Sequence, residues 1–134
     1  MDVAELRSLP PLAAVSDVGL ARIASRAAEF EAEAGRVLAL PGDAGAGMFV
    51  LCTGTVDVEL RSGTLRLGPG DFFGELALLV DDGARVARVR ATTAVRCLSI
   101  PRDDFLALVE TEPGFALHML RELARRLAEA RAAE

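Results

Sequence analysis

Between Phe30 and Ile100 the chain is cut into short apolar runs, and that cadence restricts the fold more than any other feature. β-runs are read at Phe30–Glu33, Val37–Leu40, Met48–Cys52, Thr55–Leu60 and Thr64–Leu67, with Gly or Pro at the junctions. Two more follow at Arg85–Ala91 and Val95–Ile100. Val56, Val58 and Leu60 alternate with Asp57 and Glu59, which gives that strand one wet face. Arg61-Ser62-Gly63 supplies a hairpin-like turn. Strands this short and this frequent fit an antiparallel jelly-roll β-barrel or sandwich.

Helical patterns flank the β-runs. Val3 to Leu9 reads as a short helix stopped by Pro10-Pro11. Ser16 suits an N-cap, with Asp17 in the first turn and Leu20, Ile23, Ala24 and Ala27 at helical spacing to about Ala28. After the β-runs, Pro101 opens a helix with Asp103 and Asp104 in its first turn, through about Glu110. Pro113-Gly114 breaks it and starts a last helix. There Ala116, Leu120, Leu123, Leu127 and Ala130 recur with four-three spacing, which suits either a second helix or the helix's own barrel. The fold class is therefore mainly β with flanking helices. With no repeat or linker in view, residues 1–134 read as one domain. It has an N-terminal helical part (1–28), a β-barrel (30–100) and two C-terminal helices (101–134).

A chain of 134 residues suits one core, and 51% hydrophobic with 26% charged residues describes a folded globule. No apolar run approaches membrane-spanning length, so membrane insertion is not expected. Met1-Asp2-Val3-Ala4-Glu5 lacks the basic-then-apolar order of a secretory signal. Cys52 and Cys97 sit in apolar runs and read as small buried hydrophobes, so a cytoplasmic location is expected. All 15 basic side chains are Arg, and the net charge of −5 gives no footprint for duplex DNA. No helix-turn-helix follows the last helix, so direct DNA binding by this chain is not expected. His118 is the sole histidine and cannot assemble a clustered metal site. Catalysis is not expected either: no nucleophile stands beside a base and no paired acids occupy separated environments.

The chemistry concentrates in Phe72-Phe73-Gly74-Glu75-Leu76-Ala77-Leu78-Leu79, followed six residues later by Arg85. Gly74 lets backbone approach a ligand closely, and the helix start offers N–H groups to an anion. Arg85 can grip two oxygens of one phosphate, and Glu75 can accept hydrogen bonds from a hydroxyl. The combination reads as a site for a phosphate joined to a sugar. By spacing alone, Arg85 serves equally well as a surface partner of Asp81 or Asp82, and Glu75 as a helix N-terminal acid.

Gly68-Pro69-Gly70-Asp71-Phe72-Phe73-Gly74-Glu75-Leu76-Ala77-Leu78-Leu79 with Arg85-Val86-Ala87 resembles the phosphate-binding cassette (72–87) of cyclic-nucleotide-binding domains. That family includes the sensor half of catabolite activator-type regulators, kinase regulatory subunits and gated-channel tails. Ala34–Leu38, Pro41–Leu51, Gly54–Val58 and Ile100–Phe105 resemble further family segments in order. The resemblance implies a non-catalytic sensor whose ligand is a cyclic nucleotide and which needs no cofactor. Arg85 is then implied to hold the cyclic phosphate, with backbone from Gly74, Leu76, Ala77 and Ala87. Glu75 is implied to hold the ribose 2′-hydroxyl. Val56, Leu65 and Leu67 would line the base slot while also serving as core. Arg125 or Arg126 would reach the base from a lid helix that also offers a homodimer seam. Val86 offers no hydroxyl where many relatives have one, which leans the ligand toward cyclic AMP over cyclic GMP. Ala84 replaces a common Pro, Asp81-Asp82 would oppose a nearby phosphate, and Ala130 and Arg131 replace hydroxyl residues. Arg88 is expected to point away from the pocket with Arg90.

Overall fold

The computed structural model describes residues 1–39, 47–61, 63–79 and 87–132. Asp2 caps α1 (Val3–Arg7) by accepting the Glu5 N–H at 2.8 Å. The helix stops short of Leu9 because the chain turns toward Pro10, and Pro10–Leu12 forms a 3₁₀ turn. Ser16 caps α2 (Asp17–Arg26) as expected, its hydroxyl accepting the Gly19 N–H at 3.1 Å. Ala27 is already extended, so α2 ends before Ala28, where the first strand begins.

The strands are β1 (Ala28–Ala32), β2 (Val37–Ala39), β3 (Gly47–Thr53), β4 (Val56–Leu60), β5 (Gly63–Leu67), β6 (Phe72–Phe73), β7 (Arg88–Ala91) and β8 (Val95–Pro101). They form two antiparallel four-stranded sheets, ordered β1-β8-β3-β6 and β2-β7-β4-β5, which is the jelly-roll arrangement expected. β6 is an addition: two residues carry no readable period, yet they pair with Phe49 and Val50. The helices α3 (Leu76–Leu79), α4 (Arg102–Thr111) and α5 (Pro113–Ala132) complete the described fold.

The central strands of the first sheet, β3 and β8, are largely covered on both faces, while the edge strand β1 keeps Glu29 and Glu31 exposed. Met48, Val50, Phe72, Leu98 and Ile100 pack against Leu6, Leu12, Ile23, Phe105 and Phe115 from the helices. Leu51, Phe73 and Cys97 face the sandwich interior with Val56, Leu67 and Val89. Covered faces explain why Met48–Cys52 of β3 reads as a continuous apolar run, whereas β8 is interrupted by Arg96 and Ser99. The second sheet keeps one wet face, where Asp57 holds Arg66 at 2.9 Å and Glu59 holds Arg88 and Arg90. Arg88 and Arg90 thus point to the same outer partner. Both cysteines are free thiols, and burial pushes Cys97 up to about 12.

Polar contacts join the amino-terminal helices to α4 and α5. Asp104, expected only as a first-turn acid, is buried and accepts from Arg22 at 3.1 Å and Arg26 at 2.9 Å. Glu112 accepts the Ser16 N–H at 2.7 Å and its hydroxyl at 2.9 Å. A Cβ on Gly114 would come within 2.6 Å of the Ala14 Cβ, so α5 can start this close only with glycine there.

Candidate functional site

The chain leaves β6 through Gly74, whose φ of 89° belongs to the left-handed region that favours glycine. That turn drops Glu75 into the interior, 3% exposed, and its carbonyl accepts from Leu78 and Leu79 to start α3. A buried carboxylate needs donors. Charge compensation comes from α5: Arg126 Nη1 lies 3.6 Å from Glu75 Oε1, an ion pair rather than a hydrogen bond. The same guanidinium donates to the Phe72 carbonyl at 2.7 Å and to Glu122 at 3.2 Å, and stacks 4.4 Å from the centre of the Phe72 ring. Three of these contacts, to Glu75 and to the Phe72 carbonyl and ring, tie the second half of α5 to the segment around Gly74, while the Glu122 contact stays within the helix.

Beside this junction lies a cavity of about 570 Å³, within the range that takes small ligands. Gly74, Glu75, Leu76, Ala87, Leu65 and Arg126 line it, so six expected site residues come together. Ala77 follows Leu76 within α3. Val56 and Leu67 do not reach the wall. They pair with each other one step deeper, in the sandwich core, while Val58 and Leu65 pair at the cavity. Alternation fixes which face a strand residue takes, but not its depth along the barrel. Arg126 is engaged at the Glu75 end of the cavity rather than among the apolar residues expected around a base. Arg85 and Val86, with Asp81, Asp82 and Ala84, lie outside the described residues, as does Ser62 of the expected hairpin turn.

The model for the cyclic nucleotide-binding domain matches residues 29–112, well over half the chain. The chain belongs to the cyclic nucleotide-binding domain family. It is 36% identical over 102 residues to the cyclic AMP receptor protein of Thermus thermophilus, covering 72% of this chain and 47% of that protein. It is 41% identical over 97 residues to glutaminase 2 of Bradyrhizobium diazoefficiens, covering 71% of this chain and 15% of that one. Among solved structures, a cAMP-binding acyltransferase from Mycobacterium smegmatis superposes with a TM-score of 0.79 at 29% identity, over 95% of this chain and 41% of that one. The chain thus spans less than half the length of these relatives.

In this cyclic nucleotide-binding domain, α5 supplies one wall of the cavity through Leu123, Arg126, Leu127 and Ala130, at i, i+3, i+4 and i+7. The apolar seam read from the sequence therefore splits. Leu123 and Ala130 face the cavity, while Leu120 is 66% exposed and Leu117, absent from that seam, is 45% exposed. Arg125 turns outward to Glu122 and Glu129. Hydrogen bonds from Arg125 and then Arg126 hold the Glu122 carboxyl below the usual range. His118 packs half-buried against the Phe72 ring edge, 6.2 Å between centroids. No cluster of three or more His, Cys, Asp or Glu is placed to hold a metal among the described residues, and no helix there is long and apolar enough to cross a membrane.

Proposed function

We propose that this domain is a non-catalytic sensor of a cyclic nucleotide, with cyclic AMP favoured over cyclic GMP. The observation that carries the reading is the Glu75–Arg126 contact at the cavity, where a carboxylate from the β-sandwich meets a guanidinium from α5. A ligand seated there touches both bodies at once, and differential contact with α5 is what shifts a two-state equilibrium. Glu75 accepts the ribose 2′-hydroxyl. Arg85 takes the cyclic phosphate with the amides around Gly74, Leu76, Ala77 and Ala87. Leu65, with Val58, receives the base. Val86 beside Arg85 offers no hydroxyl to guanine, which supports the adenine preference.

No metal, cofactor or catalytic group enters this scheme; the nucleotide is the ligand and movement of α5 is the output. The two free cysteines support a cytoplasmic setting. The relatives attach this domain to longer chains, and the output partner is a segment or protein that reads α5. The exposed leucines Leu117, Leu120 and Leu127 support a second copy of the helix as one such reader. The domain itself contacts neither DNA nor membrane.

Calorimetric titration with cyclic AMP, cyclic GMP and 5′-AMP tests the reading. Cyclic AMP should bind most tightly, 5′-AMP should lose affinity for want of the ring, and Glu75→Ala and Arg85→Ala should each weaken binding at least tenfold. Absence of heat and of thermal shift at millimolar cyclic AMP would replace the sensor with a docking module of the same fold. Release of AMP that stops in Glu75→Ala would make it an enzyme.

A further inference from the structure

One guanidinium at the cavity answers to three acceptors. Arg126 donates through Nε to Glu122 at 3.2 Å and through Nη2 to the Phe72 carbonyl at 2.7 Å, while Nη1 stands 3.6 Å from Glu75. A guanidinium is planar and rigid, so fixing two of its nitrogens sets the direction of the third. The Glu122 anchor is shielded from water: the side chains of Arg126 and Glu122 are 11% and 16% exposed. Glu122 is itself held, because Arg125 closes on both of its oxygens, through Nη2 and through Nε at 3.0 Å. Glu122 is no part of the cavity wall, so it reaches a ligand there only through Arg126. A carboxylate offers about four acceptor sites. An arginine drawn fully onto Glu75 as a fork would take two of them with charge-assisted bonds that a sugar hydroxyl must displace. Held by Glu122 and the Phe72 carbonyl, Arg126 supplies countercharge to the buried carboxylate without closing that fork.

We infer that Glu122 is a positioning residue: it holds Arg126 back from a forked grip on Glu75, and so sets how strongly Glu75 accepts the ribose 2′-hydroxyl. The inference rests on the sensor reading and deepens it. It concerns the sugar alone, and Glu122 touches neither sugar nor base.

The test compares, by calorimetric titration, cyclic AMP with 2′-deoxy cyclic AMP, which lacks only that hydroxyl. Wild-type protein should favour cyclic AMP by about tenfold to a hundredfold, the span of a hydrogen bond to a charged group. Glu122→Ala releases Arg126 onto Glu75 and should shrink the ratio by about threefold to tenfold, within the coupling range of groups in one network. Glu122→Gln keeps a carbonyl acceptor for the Arg126 Nε and should keep most of the ratio. With Arg126→Ala already in place, Glu122→Ala should change the ratio no further. An equal loss for both ligands in Glu122→Ala, or a fall in the ratio that persists in the Arg126→Ala background, would overturn the assignment while leaving the sensor reading standing. A wild-type ratio of one would remove the ribose role of Glu75 and this inference with it. Wild-type protein that binds neither nucleotide would sink the sensor reading as well.

Discussion

The two halves of α5 share one helix and differ in what holds them. The first half is fixed by burial: Phe115 is fully buried, Met119 nearly so, and Gly114 presses against Ala14. The second half exposes 56% of Leu127 and is tied down mainly through Arg126, whose side chain is 11% exposed. Burial is insensitive to what occupies the cavity, whereas the Arg126 contacts end on Glu75, which lines the cavity, and on Phe72 next to the cavity-lining Phe73. A helix with one anchored and one conditional half can respond to a ligand without leaving the domain.

The hardest blow to this contrast is Phe115→Ala. It removes a ring packed edge-on against Phe105, 5.9 Å between centroids, from the core shared by sheet and helices. About 3–5 kcal/mol of stability should be lost, seen as a lower denaturant midpoint at unchanged slope. A loss under about 1 kcal/mol would mean that the first half is no anchor.

Arg126→Ala strikes the other half and should cost less, about 1–3 kcal/mol, because it deprives a buried carboxylate of its countercharge and the Phe72 carbonyl of a donor. Its sharper signature is local. Amide exchange should accelerate over residues 121–132 and stay protected over 115–119. Equal acceleration in both halves would show that the helix moves as one cooperative unit. Asp104→Ala offers a control away from the cavity. Arg22 and Arg26 are more than half exposed and rehydrate when their partner goes, so about 1–2 kcal/mol should be lost with nucleotide affinity unchanged.

The parts of this molecule legible in the sequence are those set by local period and by turn chemistry. Ser16 as a cap, the alternation of β4, and Gly74-Glu75 entering a short helix all follow from neighbours in the chain. What stayed hidden depends on register between distant segments. Val56 and Val58 are equivalent by alternation, and only pairing with Leu67 and Leu65 decides which one reaches the cavity. Asp104 carries an ordinary first-turn signature, and nothing local reveals that α2 brings two guanidiniums to it. Leu120 and Leu123 fit one four-three seam, yet only Leu123 meets the core and the cavity, while Leu120 is left exposed.

The gentlest test of the contrast is acid. Arg125 and Arg126 hold the Glu122 carboxyl below its ordinary value, so the folded state binds that proton more weakly than the unfolded chain does. The stabilisation is therefore complete above the unfolded value, about 4.3, and is lost as pH falls through the lowered one. The contacts involved lie three and four residues apart along the helix, with Arg125 half exposed and Glu122 and Arg126 mostly covered, and such pairs contribute about 0.3–0.5 kcal/mol. Acidification should thus loosen the second half of α5 before the first, with faster exchange over 121–132 below about pH 4. Glu122→Gln should remove that local pH dependence and leave the acid response of the sheet pair Asp57–Arg66 in place, since Arg66 lowers Asp57 independently. If the variant keeps the same acid profile over 121–132, the titrating group is elsewhere and the second half is not held through Glu122.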